Sequence, residues 1–286
     1  MSWLSKWRKR EVAASAKKTP LQEAEVTLLS DTGCHRTNNQ DSGRIVNATN
    51  GTAETGGLLV VVADGMGGHK AGEVASQTAV NTVAEVYQRS RGTPGQALDE
   101  AFREAHKNIL KLATENQAMA GMGTTCTALA IVGNEAWAAH VGDSRLYLVR
   151  SGDIYQLSED HTVIEELVRQ GLLTPGEAGR HEDRNVLLRA MGTKPELSIM
   201  RWKEPMDVRR GDAFLLCSDG LHDLVNDSEI MAVVNGAPPK VACRKLVQMA
   251  KERGGYDNIT VAVVAIYAKN GRPEALKDTR QVEVRQ

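Results

Sequence analysis

Two runs in this chain end the same way. Residues 58–65 read LLVVVADG and residues 213–220 read AFLLCSDG. Each is a short apolar run of the kind that forms a buried strand, and each stops at an aspartate followed by glycine. A carboxylate at the end of a core strand is costly unless something compensates its charge. Two such strands can bring Asp64 and Asp219 to one end of a sheet, where they repel unless a cation lies between them. Three further aspartates occupy similar turns: Asp41 after Asn38-Asn39-Gln40, Asp143 in VGDSR and Asp257 in GGYDN. Taken singly, each is an ordinary turn or capping residue. Five in glycine- or asparagine-rich turns at strand boundaries read as a site. Oxygen ligands of this kind suit hard cations such as Mg²⁺ or Mn²⁺. The sequence holds no HExxH motif, and its four cysteines form no CxxC pair, so nothing favours zinc.

The elements that must position these aspartates follow from periodicity. Strands are expected at 25–30, 58–63, 124–132, 136–141, 145–150, 153–158, 213–218 and 258–268, with hairpin turns at Gly133-Asn134 and Ser151-Gly152. Residues 33–42 read as a polar loop. Helical spacing covers 71–90 and 96–114, then about 227–234 and 238–253, with a short helix in VIEELVRQG. Hairpin runs interrupted by two blocks of helices are not a βαβ alternation. They predict an α+β fold, with antiparallel sheets packed together and helix pairs outside.

The chain has 286 residues, 41% of them hydrophobic but only 4% aromatic, so aliphatic side chains must fill its core. Residues 1–20 hold six of the 35 basic residues and one of the 36 acidic ones, leaving an acidic body. That body argues against nucleic acid as the ligand. The basic extension carries Trp3, Leu4 and Trp7 on one helical face. It reads as a solubilising tail or as a weak membrane-surface or partner contact. Residues from 270 read as a polar, mobile tail. Cys126 and Cys217 read as core residues, whereas Cys34 sits in a polar loop. No signal peptide or 18-residue apolar stretch is seen, so the expectation is a cytoplasmic protein.

Six segments, in order, closely resemble the type 2C metal-dependent serine/threonine protein phosphatases (the PPM family) in their bacterial form. They are RTNNQDS at 36–42, VVADGMGGH at 61–69, GMGTT at 121–125, HVGDSRLYL at 140–148, LLCSDGL at 215–221 and GGYDNITV at 254–261. The resemblance spans about 21–268 and implies an αββα sandwich with a dinuclear Mn²⁺/Mg²⁺ centre. It implies a catalytic domain over 21–269, between the extension at 1–20 and the tail at 270–286. By position, Asp64 would bridge the two metals and Gly65 would offer its carbonyl to one of them. Asp219 and Asp257 would bind the other, Asp41 would hold metal or its waters, and Asp143 would serve a third ion. Arg36 falls where the family holds the substrate phosphate.

The activity implied is hydrolysis of phosphoserine and phosphothreonine in proteins by direct attack of a metal-activated water. The implied partners are phosphoproteins, in opposition to a bacterial Ser/Thr kinase, with the enzyme a monomer. Met66 stands where many eukaryotic members carry a proposed acid histidine, so the general acid is unassigned; His69 reads as a loop-stabilising residue. Gln40 stands where those members often have an acid. Residues 160–192 match the family's variable flap. They are expected either to contact substrate through His161, Arg180, Arg184 or Asn185, or to be a connecting subdomain. The rival functions are a phosphopeptide-binding module that has lost catalysis, and a phosphatase dedicated to one regulatory partner. Loss of metal ligands would mark the first, and all the expected acids are present.

Overall fold

The protein is described by a computed structural model covering residues 22–48, 57–67, 71–178, 181–268 and 281–285. The basic extension, His69 and Arg180 lie outside the described residues. Two sheets pack face to face. The first joins β1 (Gln22–Asp31), β7 (Arg145–Arg150), β8 (Asp153–Gln156), β11 (Ala213–Cys217), β12 (Ile259–Ala268) and β13 (Gln281–Arg285) in the order β13-β1-β12-β11-β7-β8. The second joins β2 (Asp41–Ala48), β3 (Gly57–Met66), β5 (Cys126–Val132), β6 (Glu135–Val141) and β10 (Met206–Asp207) in the order β10-β6-β5-β3-β2. The short strands β4 (Gly123–Thr124) and β9 (Met200–Arg201) pair with β3 and β6.

The apolar runs are continuous because the central strands are buried on both faces. In β3, Leu58, Val60 and Val62 point between the sheets, while Leu59, Val61 and Ala63 point at helices α1 (Ala71–Arg89) and α2 (Pro94–Glu115). In β12, Ala262, Val264 and Ile266 face the other sheet, and Ile259, Val261 and Val263 face α6 (Asp227–Gly236) and α7 (Pro239–Glu252). Three apolar layers therefore separate four structural layers, helices outside and sheets inside, as the sequence predicts. Helix α2 starts where its sequence dictates: the Thr93 side chain accepts from the Gln96 N–H, Gln96 reaches back to the Thr93 N–H, and Pro94 occupies the first turn.

Besides short pieces such as β9 and β10, two strands differ from the expectation. Strand β2 runs through what reads as the end of a loop and beyond. It lies at a sheet edge and contains Gly43, where an added Cβ would fall 2.4 Å from a Leu28 methyl. Gly43 and the polar Ser42, Arg44 and Asn47 hide its alternation. Within the tail expected to be mobile, Gln281–Arg285 forms β13, paired parallel to β1. Its five residues are too few to show a period.

One ion pair inside the first sheet is structural. Arg150 on β7 donates to both carboxylate oxygens of Asp212, at 2.7 and 2.6 Å, and the two side chains are 8% and 2% exposed. Asp212→Ala would remove the carboxylate that accepts two hydrogen bonds from the buried guanidinium. The expected loss is ~3–5 kcal/mol in urea denaturation; a loss under ~1 kcal/mol would show that Arg150 reaches solvent or another acceptor.

Candidate active site

The end of the sandwich where β2, β3 and β11 meet gathers the sequence's aspartates. Asp41 opens β2 and lies directly across from Asp64 on β3. Asp219 opens α5 (Asp219–His222), one residue after β11. Asp143 sits in the β6–β7 turn, where Gly142 has φ +111°, and Asp257 lies just before β12. A cleft of about 320 Å³ is lined by Arg36, Asp64, Gly65, Asp143, Asp219 and Asp257, with Gln40, Met66, Asn185 and Leu187 completing its walls. Six of the seven predicted residues thus share one cleft. Asp41 stands behind it, 7% exposed, on the wall of an adjacent cavity that also reaches Arg36.

Backbone locks hold the carboxylates in place. The Asp64 N–H donates to Thr125 Oγ1, and its carbonyl accepts from the Thr125 N–H and the Thr124 hydroxyl, each at 2.8 Å. Ser218 donates to Asp41 Oδ2 at 2.7 Å. Asn258 accepts from the Gln40 N–H and donates to the carbonyls of Thr32 and Asn38, which pins the loop carrying Arg36 to the loop carrying Asp257. Gly65 has no room for a side chain, since a Cβ there would sit 2.0 Å from the Gly72 carbonyl oxygen. None of Thr124, Thr125, Ser218 or Asn258 stands out by sequence chemistry. The available signals are adjacency, since Ser218 precedes Asp219 and Asn258 follows Asp257, and the place of all four within the segments GMGTT, LLCSDGL and GGYDNITV.

Charge crowding is severe. Asp41 Oδ1 and Asp219 Oδ1 are buried and have no hydrogen-bond partner. Burial pushes the Asp41 carboxyl up to about 7, against hydrogen bonds from Ser218 and Thr260. Burial, then repulsion by Asp219, pushes Asp143 to about 7. Burial also drives Asp64 well above the usual carboxylate range, with Asp41 and Asp219 adding repulsion, and it raises Asp219 despite nearby His222. At the mouth, Arg36 Nη2 donates to Asp257 Oδ2 at 2.7 Å, with both side chains partly exposed. Among the described residues, no three Asp, Glu, His or Cys side chains already close a metal-ligand shell by themselves.

The segment over 160–192 contains α3 (Val163–Arg169) and α4 (Pro175–Ala178). Asn185 and Leu187 reach the cleft, and Arg184 lies 3.6 Å from Asp223. His161, one of the four residues offered for substrate contact if the segment is not a plain connector, is buried. Its Nδ1 accepts from the Gly142 N–H at 3.1 Å, and its ring lies 4.9 Å from that of His140. His140 is held by Thr127 and by the carbonyls of Gly142 and Glu159. Burial lowers both imidazoles, His140 to about 4 and His161 to about 3. The pair is a neutral brace under the Asp143 turn.

A two-sheet sandwich with a carboxylate cleft at one end defines a class, and comparison places the chain within it. A sequence profile of protein phosphatase 2C matches residues 35–244. Protein phosphatase PhpP of Streptococcus pneumoniae is 37% identical over 247 residues, covering 85% of this chain and 97% of the relative. The crystal structure of the Mycobacterium tuberculosis serine/threonine phosphatase PstP/Ppp superposes with TM-score 0.77 at 35% identity, covering 86% of this chain and 99% of that one. The catalytic domain of PstP in complex with two manganese ions superposes with TM-score 0.75 at 34% identity, covering 86% and 99%. The chain belongs to the protein phosphatase 2C family. Within it, the chain stands with the bacterial serine/threonine phosphatases.

The raised carboxyls set a pH dependence. With divalent cations chelated, Asp41 holds its proton more tightly folded, at about 7, than at its ordinary 3.8. Its contribution to stability is complete below the lower value and is lost as pH rises through the upper one. Asp41→Asn removes this titration. In chelator the variant should match wild type near about pH 4 and exceed it by on the order of 2–4 kcal/mol near about pH 8. A pH-independent difference in urea denaturation would contradict the assignment.

Proposed function

We propose that this protein is a metal-dependent phosphatase that hydrolyses phosphoserine and phosphothreonine in other proteins and opposes a bacterial serine/threonine kinase. The observation that carries the reading is the convergence of Arg36 with four aspartates in a single cleft. The residues fit divalent cations. Their donors are all oxygen, two buried carboxylate oxygens lack partners, and burial disfavours the bare carboxylates of Asp41 and Asp143, a cost a cation would offset.

In this reading Asp64, the Gly65 carbonyl, Asp219 and Asp257 hold two ions, Asp41 supports them from behind, and Asp143 serves a third. When bound, the ions would supply a nucleophilic water near neutral pH and offset charge on the transferring phosphoryl group. The chain's own residues do the rest. Arg36 presents a planar fork that can engage two phosphate oxygens, and its pairing to Asp257 at the mouth keeps it aimed there. Thr124 and Thr125 fix the Asp64 backbone, so its carboxylate cannot drift when phosphate arrives. Asn185 and Leu187 bring the 160–192 flap to the cleft, where it meets the substrate protein.

Chelated protein should be inactive on p-nitrophenyl phosphate and a phosphothreonine peptide, and regain activity with Mn²⁺ or Mg²⁺. Asp64→Asn and Asp219→Ala should each lose on the order of 10³-fold or more in kcat while remaining folded. Normal turnover in Asp64→Asn would sink the two-ion reading. Arg36→Ala should raise KM about 10-fold with a smaller change in kcat; an unchanged KM would remove Arg36 from the phosphate.

A further inference from the structure

Aromatic residues are scarce in this chain, yet one is spent on the surface beside the cleft. Tyr256 is 62% exposed. Its ring lies 5.2 Å from that of His35, tilted by 31°. The stack bridges the two loops that furnish the cleft mouth, because His35 precedes Arg36 and Tyr256 precedes Asp257 in the chain. The ring is folded over Gly254, whose φ is +120°. A Cβ on Gly254 would fall 2.4 Å from the ring, so glycine there permits the pose. A second exposed apolar residue also neighbours the cleft lining in the chain. Leu187 lines the cleft, and its neighbour Val186 is 47% exposed. A phosphorylated side chain reaching Arg36 brings its flanking residues to the surroundings of this lining, where His35, Tyr256 and Val186 each adjoin a lining residue in the chain.

We propose that the His35–Tyr256 shelf and the Val186 edge form an apolar rim that binds the uncharged aliphatic or aromatic residues flanking phosphoserine or phosphothreonine in the substrate protein. The proposal rests on the phosphatase reading and adds a substrate preference to it. Exposed apolar surface gains free energy when a partner covers it, and the cleft whose lining residues these side chains adjoin in the chain fixes what that partner is. An aromatic ring braced by a second ring loses little freedom on contact, which suits it to such a role. Tyr256 and His35 touch neighbouring parts of the substrate and not the reacting atoms, so they set specificity.

The test compares two phosphothreonine peptides in Mn²⁺, identical except that the phosphoresidue is flanked on both sides by leucine or by serine. Wild type should favour the leucine peptide by ~3- to 10-fold in kcat/KM, within the range a modest apolar contact supplies. Tyr256→Ala should bring that ratio down toward one, Tyr256→Phe should keep it, and Val186→Ser should lower it by a separate share. A ratio near one in wild type, or one that survives both Tyr256→Ala and Val186→Ser, overturns the rim. Failure of wild type to hydrolyse either peptide overturns the phosphatase reading, and the rim with it.

Discussion

Carboxyls crowded together dominate this molecule. Asp41 and Asp143 are buried and Asp64 and Asp219 half-buried in one corner, and in each the largest influence on the carboxyl is loss of water. Hydrophobic collapse would never place them there. The sandwich supplies the force: three apolar layers on the central strands hold the strand ends wherever the register puts them. Stability from the body of the sheets is thus applied against repulsion at one end. That is the arrangement expected where strain serves a site.

The corner survives because the backbone around it is tied independently of the carboxylates. Thr125 takes the Asp64 N–H, Asn258 stitches two loops together, and the neutral His140–His161 pair props the Gly142 turn. None of these ties requires a charged partner. They hold whether the aspartates are protonated, ionised or neutralised by a ligand. The flap segment shares one of them, since the His161 N–H and ring both meet Gly142. The turn bearing Asp143 and the entry to the flap therefore move together or not at all.

Much of this architecture can be read from the chain because doubly buried strands and acid-glycine stops are local patterns. The long apolar runs of β3 and β12, the hairpins from 126 to 156 and the four long helices fall where periodicity puts them. Strand β2 does not, because an edge strand carrying Gly43 and Arg44 has no clear alternation. The site follows the same division. The aspartates announce themselves by being out of place in apolar context. Ser218, Thr125 and Asn258 are unremarkable in type, and their importance comes from distant partners such as Asp41 and Thr32. His161 shows the converse: a histidine in a polar segment looks available, and only packing reveals that its ring faces inward beside His140.

The pairing of β1 carries a consequence for synthesis. Both of its neighbours, β12 and β13, lie at the far end of the sequence, with Asp31 paired to Ile259. The second sheet and its helices, by contrast, close through nearer partners such as β5 with β6. A nascent chain can therefore assemble the second sheet with α1 and α2 while β1 still waits unpaired. The loop bearing Arg36 hangs directly from β1. The Arg36 edge of the cleft is then among the last parts to be set, and an incomplete chain cannot present it.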